Sequence, residues 1–147
     1  MIQARNANLG LIYCVGENLE QRENEESQEV IYSQLASIKE KLDETEWRKV
    51  IIAYEPIWAL NTGKISSADQ TQEAIEMIRH WLCDNCSEQI AKETKILYGG
   101  PVTETHTENL IKLKGVDGFL VGSTSCKPVF RSIFDMVHAQ AKRDIKH

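Results

Sequence analysis

Four short apolar runs, each closed by a turn signal and set between longer stretches of helical periodicity, constrain this chain more than any other feature. They cover residues 9–15, 50–54, 96–98 and 119–121, and are followed by Gly16, Glu55-Pro56, Gly99-Gly100 and Gly122. Continuous apolar runs this short suit strands of a parallel sheet buried on both faces. Between them, Ile31, Leu35, Ile38 and Leu42 recur at helical spacing, with Glu and Lys filling the opposite side. A second helix is expected to begin at Ser67, where Gln70 completes a capping box and Ala74, Ile78 and Trp81 make one apolar stripe. A shorter helix is expected over 105–113, ending before Gly115, and a last one from near Pro128 that buries Phe130, Phe134 and Val137. No Pro/Gly/Ser-rich linker interrupts the series, so residues 1–147 are expected to form a single α/β domain of four βα units. Right-handed crossovers then give either a doubly wound open sheet or a stretch of a (β/α) barrel, and the periodicity fits both.

Size and composition narrow the function classes. A chain of 147 residues with 41% hydrophobic and 27% charged side chains can bury a core of its own. A net charge of -5, with both signs interspersed, offers no footprint for nucleic acid or an anionic membrane surface, and neither is expected as a partner. No apolar run approaches the roughly 20 residues of a membrane span, and residues 1–10 lack the apolar core of a signal peptide, so the expected compartment is the cytoplasm. The four cysteines, Cys14, Cys83, Cys86 and Cys126, are read as reduced thiols. His80, Cys83 and Cys86 have a spacing that could set three ligands on one helix edge, but structural zinc takes a fourth, and no second pair follows. These read as ordinary helix-end residues, and no metal is expected.

Polar residues and glycines gather just after the strands, where parallel α/β proteins build their sites. Glu55 directly follows an apolar strand, so its carboxylate leaves at the mouth of the sheet, where partial desolvation would make it a usable base. A salt-bridged glutamate at a strand end fits the same pattern. Gly99, Gly100 and Gly122 allow backbone N–H groups to turn toward a phosphate, or simply permit a turn.

As a set, these residues are recognisable. The stretch Ala53-Tyr54-Glu55-Pro56-Ile57-Trp58-Ala59-Leu60-Asn61-Thr62-Gly63-Lys64 closely resembles the signature of the triosephosphate isomerase family. Tyr98-Gly99-Gly100 with Val102, the run Val116-Asp117-Gly118-Phe119-Leu120-Val121-Gly122, and Cys14-Val15-Gly16-Glu17 with Leu19 and Arg22 resemble it too, in order and spacing. The resemblance implies the last four units of a (β/α)₈ barrel and an enzyme of glycolysis and gluconeogenesis. That enzyme interconverts dihydroxyacetone phosphate and glyceraldehyde phosphate through an enediolate, with no cofactor and no metal. By the resemblance, Glu55 is the base that moves the proton, a role worked out for this enzyme class in general. Pro56, Ile57, Trp58, Asn61, Thr62, Gly63 and Lys64 belong to a lid that keeps water from the intermediate, with Trp58 as its anchor. Tyr98 and Gly99 would meet the closed lid, while Gly100, Gly122 and Ser123 fall at phosphate-binding positions. Cys14, and Glu17 with Arg22, match structural residues beside the site, read as core packing and a fixed ion pair.

The departures matter as much. The family's barrel has eight units in roughly 250 residues, and the strand-one lysine and strand-four histidine that polarise its substrate have no counterpart here. His80, His106, His138 and His147 fall at helix or tail positions. Losing one preorganised stabiliser typically costs on the order of a hundredfold in turnover, so this chain alone is expected to be inactive or nearly so. Asn61 and Pro101 stand where the family has glycine and serine, and Ser123 stands where it has a second glycine. Pro101 has neither N–H nor hydroxyl, which removes a phosphate hydrogen bond worth about 1.5 to 3 kcal/mol. The first and last strands would present unpaired edges, for a complementary N-terminal half-barrel or for a second copy of the chain. Met1 falls within what resembles the end of a preceding helix, as expected of a fragment, a split product or a degenerate copy. The alternative function is that of a degenerate, non-catalytic structural or assembly subunit; a phosphate-binding module standing alone is a third reading.

Overall fold

The computed structural model describes residues 2–60 and 62–144. After a short helix α1 (Ile2–Asn6), four strands follow: β1 (Leu11–Val15), β2 (Val50–Tyr54), β3 (Lys95–Tyr98) and β4 (Gly118–Phe119). All pairings are parallel and the strand order is β1-β2-β3-β4. That order decides between the two architectures left open by the sequence. A doubly wound sheet reverses its winding at a switch point, whereas here each strand is laid beside the one before it, as in a barrel.

The helices lie on one face. Helices α3 (Ser27–Lys39) and α5 (Ala68–Asn85) deliver Ile31, Leu35, Ile38, Ala74, Ile75, Ile78, Trp81 and Leu82 into one core with Ile52, Tyr54, Ile96 and Tyr98 of the strands. Register puts Tyr13, Ile52 and Ile96 on that covered side, and Cys14, Ala53 and Leu97 on the other. On the far side Ile12 is 47% exposed and Cys14 is exposed as well. The expectation of strands buried on both faces therefore fails at β1, whose burial alternates along its length. The apolar run reports a face that nothing within these residues covers.

Local signals account for the helix boundaries. Ser67 caps α5, its hydroxyl taking the Gln70 N–H at 3.1 Å while the Gln70 side chain returns to the Ser67 N–H at 2.9 Å, as expected. The same reciprocal caps start two short helices that apolar periodicity alone does not show. Asn18 with Gln21 opens α2 (Leu19–Glu23), and Asp43 with Glu46 opens α4 (Glu44–Trp47). Ser87 caps α6 (Glu88–Glu93), a further helix that apolar periodicity does not show. Leu42 falls beyond the end of α3 and packs on the core from the following turn. Helix α7 spans Glu104–Leu110, shorter than expected at its C-terminal end.

The last helix, α8 (Phe130–Asp144), corrects a stripe. Among its described side chains Ile133 is the buried one, while Phe134 is 53% exposed and Phe130 lies at the margin. With Phe119, Val121 and Val137 these side chains line an open groove of about 270 Å³ beside the edge strand β4. The apolar spacing was real, but some of the face it marks is left without a neighbour.

Candidate active site at the strand ends

Glu55 extends β2 by one residue, its N–H donating to the Val15 carbonyl at 2.8 Å. Register places its side chain on the uncovered face, between Gly16 and Gly99. Both glycines are required by proximity. A Cβ on Gly99 would lie 2.6 Å from Glu55 Cγ and 3.1 Å from its Oε1, so the carboxylate arm lies directly over the bare Gly99 backbone. A Cβ on Gly16 would lie 1.8 Å from the Glu55 carbonyl oxygen. Gly16→Ala must therefore push apart neighbouring strands whose backbones are already bonded, and is expected to destabilise by about 1 to 3 kcal/mol. Gly122→Ala meets nothing within 4 Å and should stay within about 0.5 kcal/mol of the parent. Urea midpoints at constant m-value read both.

The Cys14 thiol shares this face with Glu55. Although the residue is exposed overall, partial desolvation of the thiol first, then a hydrogen bond to and the charge of Glu55, push it up from 9.0 to about 11. The core packing expected of Cys14 is thus corrected: it is an exposed residue on the open sheet face. Because the folded chain holds a proton that the unfolded chain releases near 9.0, this contribution to stability is present below that pH and lost as pH rises through about 11. Alkylation of Cys14 by iodoacetamide should accordingly lag that of an unperturbed thiol at pH 9, and catch up only near pH 11.

The segment after Glu55 is pinned at its root and open at its tip. Pro56 is buried, and a 3₁₀ turn (Ile57–Ala59) carries Trp58 inward and Ile57 outward. Trp58 Nε1 donates to Glu17 Oε1 at 2.9 Å, and the Ile57 N–H donates to the Glu17 carbonyl at 3.1 Å. Glu17, fully buried, also accepts from Tyr54 Oη and Arg22 Nη1, each at 3.1 Å, on the same Oε1. The expected Glu17–Arg22 pair is present, and it belongs to a larger hub. Burial, then the Glu17 carboxylate, drive the Tyr54 phenol above its ordinary range. Asn61 lies outside the described residues. Thr62 hydrogen-bonds back to the Trp58 carbonyl at 2.9 Å, and Gly63 takes φ +77°, a conformation side chains rarely adopt. Thr62, Gly63 and Lys64 are exposed.

Gly99, Gly100, Gly122 and Ser123 come together. With Leu60, Pro101, Val102, Thr103, Val121 and Thr124 they line a cavity of about 300 Å³ at the ends of β3 and β4. Behind Gly100 lies Tyr98, outside the cavity lining, whose buried hydroxyl has no partner among the described residues and whose phenol is held neutral by burial. A Cβ on Gly100 would lie 2.2 Å from that hydroxyl. Ile57, Thr62, Gly63 and Lys64 stand outside the cavity lining. Sequence reasoning missed His106, which reaches from α7 to the carbonyl oxygens of Pro101 and Ser66 at 2.9 and 2.8 Å. Its position at the third residue of a capped helix was the only signal available. Of the suggested ligand trio, His80 and Cys83 are exposed on α5, and no group of three His, Cys, Asp or Glu is arranged to hold a metal among the described residues.

A singly wound parallel sheet with a carboxylate, a jutting loop and a glycine-lined cavity all at its C-terminal edge has the architecture of part of a (β/α) barrel. The family profile described as "Triosephosphate isomerase" matches residues 1–139. The chain belongs to the triosephosphate isomerase family. It is 44% identical to the cytosolic triosephosphate isomerase of Gracilaria gracilis over 135 residues, 92% of this chain and 53% of that protein. It is 44% identical to that of Paracoccidioides lutzii over 132 residues, 90% and 53% of the two chains, and 41% identical to the glycosomal protein of Trypanosoma cruzi over 133 residues, again 90% and 53%. The chain spans about half the length of the curated relatives it matches.

Proposed function

We propose that this chain supplies the C-terminal half of a triosephosphate isomerase, interconverting dihydroxyacetone phosphate and glyceraldehyde phosphate once the first half of the barrel is present. The observation that carries the reading is the Glu55 carboxylate lying over Gly99, between the lid root and the glycine-lined cavity. A triose phosphate with its phosphate at Gly100, Gly122 and Ser123 would bring its carbons toward that carboxylate. Glu55 then takes a proton from one carbon and returns it to the next, while residues 56–64 close over the enediolate to exclude water. The Tyr98 hydroxyl, without a partner among the described residues, would serve as donor or acceptor to the closed lid.

Completion must come from outside these residues. The β1 edge with the open sheet face at Ile12, and at the opposite end the β4 edge with the groove beside Phe134, each offer surface for a complementary half or a second copy. No described helix is long and apolar enough to cross a membrane, and with cytosolic proteins among the relatives a cytoplasmic site is the proposed one.

The test is to assay isomerisation by the chain with and without an N-terminal half-barrel of a relative, following Cys14 alkylation in parallel. Activity only with the partner, together with protection of Cys14, is the expected result. Protection of Cys14 without any turnover would overturn the enzymatic reading and favour an assembly role.

A further inference from the structure

The lid segment re-enters the fold at Ser66, the residue before the α5 cap. Ser66 is fully buried, and its hydroxyl lies 3.0 Å from that of Thr71. Its carbonyl oxygen faces His106 Nε2 at 2.8 Å, while the other ring nitrogen, Nδ1, faces the Pro101 carbonyl at 2.9 Å. One imidazole therefore stands between the trailing end of the lid and the loop that lines the phosphate-side cavity. The ring is held from a third side by Tyr98, edge-on at 5.4 Å between centroids. Its backbone is fixed by the Thr103 cap, whose hydroxyl accepts the His106 N–H at 3.3 Å.

We propose that His106 is a positioning residue that pins the lid's trailing end at Ser66 to the cavity loop at Pro101. The proposal rests on reading 56–64 as a lid and the cavity as the phosphate site. A lid that closes as a rigid flap needs an end that does not move, and a buried carbonyl held by a side chain from another element provides one. Pro101 makes the same bond useful on the other side. Having no N–H, residue 101 can be tied only through its carbonyl, and His106 holds that carbonyl where the loop meets α7. Both partners are acceptors, so a ring with one N–H serves one of them at a time and a ring with two serves both.

The geometry separates the two ties by substitution. An asparagine carries its amide nitrogen near the Nδ1 position and a glutamine near the Nε2 position, while phenylalanine keeps only the ring contact with Tyr98. Amide hydrogen exchange on the full chain reads residues 62–66 and 99–103 separately. His106→Phe removes the tie to either carbonyl and should speed both segments, each by up to about five- to tenfold, the effect of one lost hydrogen bond. His106→Asn should spare 99–103 and speed 62–66, and His106→Gln should do the reverse. Identical behaviour of the Asn and Gln variants, parent-like exchange in all three, or acceleration spread evenly through α5 and α7 would each overturn the proposal. The readout does not depend on isomerase activity: a clean split between segments upholds the pin even if the completed barrel turns over no triose phosphate.

Discussion

Glu55→Gln, introduced into the chain and assayed with a complementary first half, should lower isomerase turnover by about 10² to 10⁴-fold, the usual range for a general base. Stability should hardly change. The side chain is half-buried rather than enclosed, its backbone bond to Val15 is untouched, and glutamine keeps the shape that lies over Gly99. A steady-state assay with either triose phosphate, beside a urea melt of parent and variant, separates the two effects. Turnover surviving within about tenfold would move the base elsewhere. The same variant carries an internal control. The Glu55 carboxylate contributes to the raised Cys14 value of about 11, after burial, so its neutralisation should bring the thiol some of the way back and speed its alkylation. That response reports the contact between the two groups whether or not any enzyme is assembled.

What could be read from the sequence divides along a physical line. Features set by neighbours in sequence were legible: β2 runs over the very residues marked by its apolar stretch, and the Ser67 cap starts α5 where Gln70 says it should. Features that depend on what lies across space were not. Phe134 has the spacing of a core residue and is half exposed, because its neighbour would have to come from beyond β4. Cys14 sits in an apolar strand and is exposed all the same, because nothing within these residues covers that face of the sheet. His106 was unreadable for a different cause. Its partners, Ser66 and Pro101, are backbone carbonyls, which leave no residue-type signature at all. The candidate site residues follow from the spacing of their motifs, whereas the hydrogen bonds that hold them come only from the folded geometry.

The largest stability effect should come from Glu17→Ala, at about 3 to 5 kcal/mol, the range for removing one partner of a buried ion pair. Glu17 Oε1 alone accepts from Tyr54, Trp58 and Arg22, so its loss strands a buried phenol, an indole N–H and a guanidinium together. Arg22 would retain its exposed contact with Glu73 at 3.1 Å and its place 5.7 Å from the centre of the Trp58 ring, but neither replaces a buried carboxylate. Glu17→Gln keeps an acceptor at that point and should cost less, about 1.5 to 3 kcal/mol. Glu73→Ala should cost under about 1 kcal/mol, with even that fading as salt screens the exposed pair. The Glu17 effect should persist at high salt, since no ion reaches a side chain with 0% exposure. Trp58 links this energy to the proposed lid: a cycle pairing Glu17→Ala with Trp58→Phe should be strongly non-additive, because the second change removes one of the donors the first leaves unpaired. Additive melts would mean that the turn at Trp58 is anchored by its packing and not by this carboxylate.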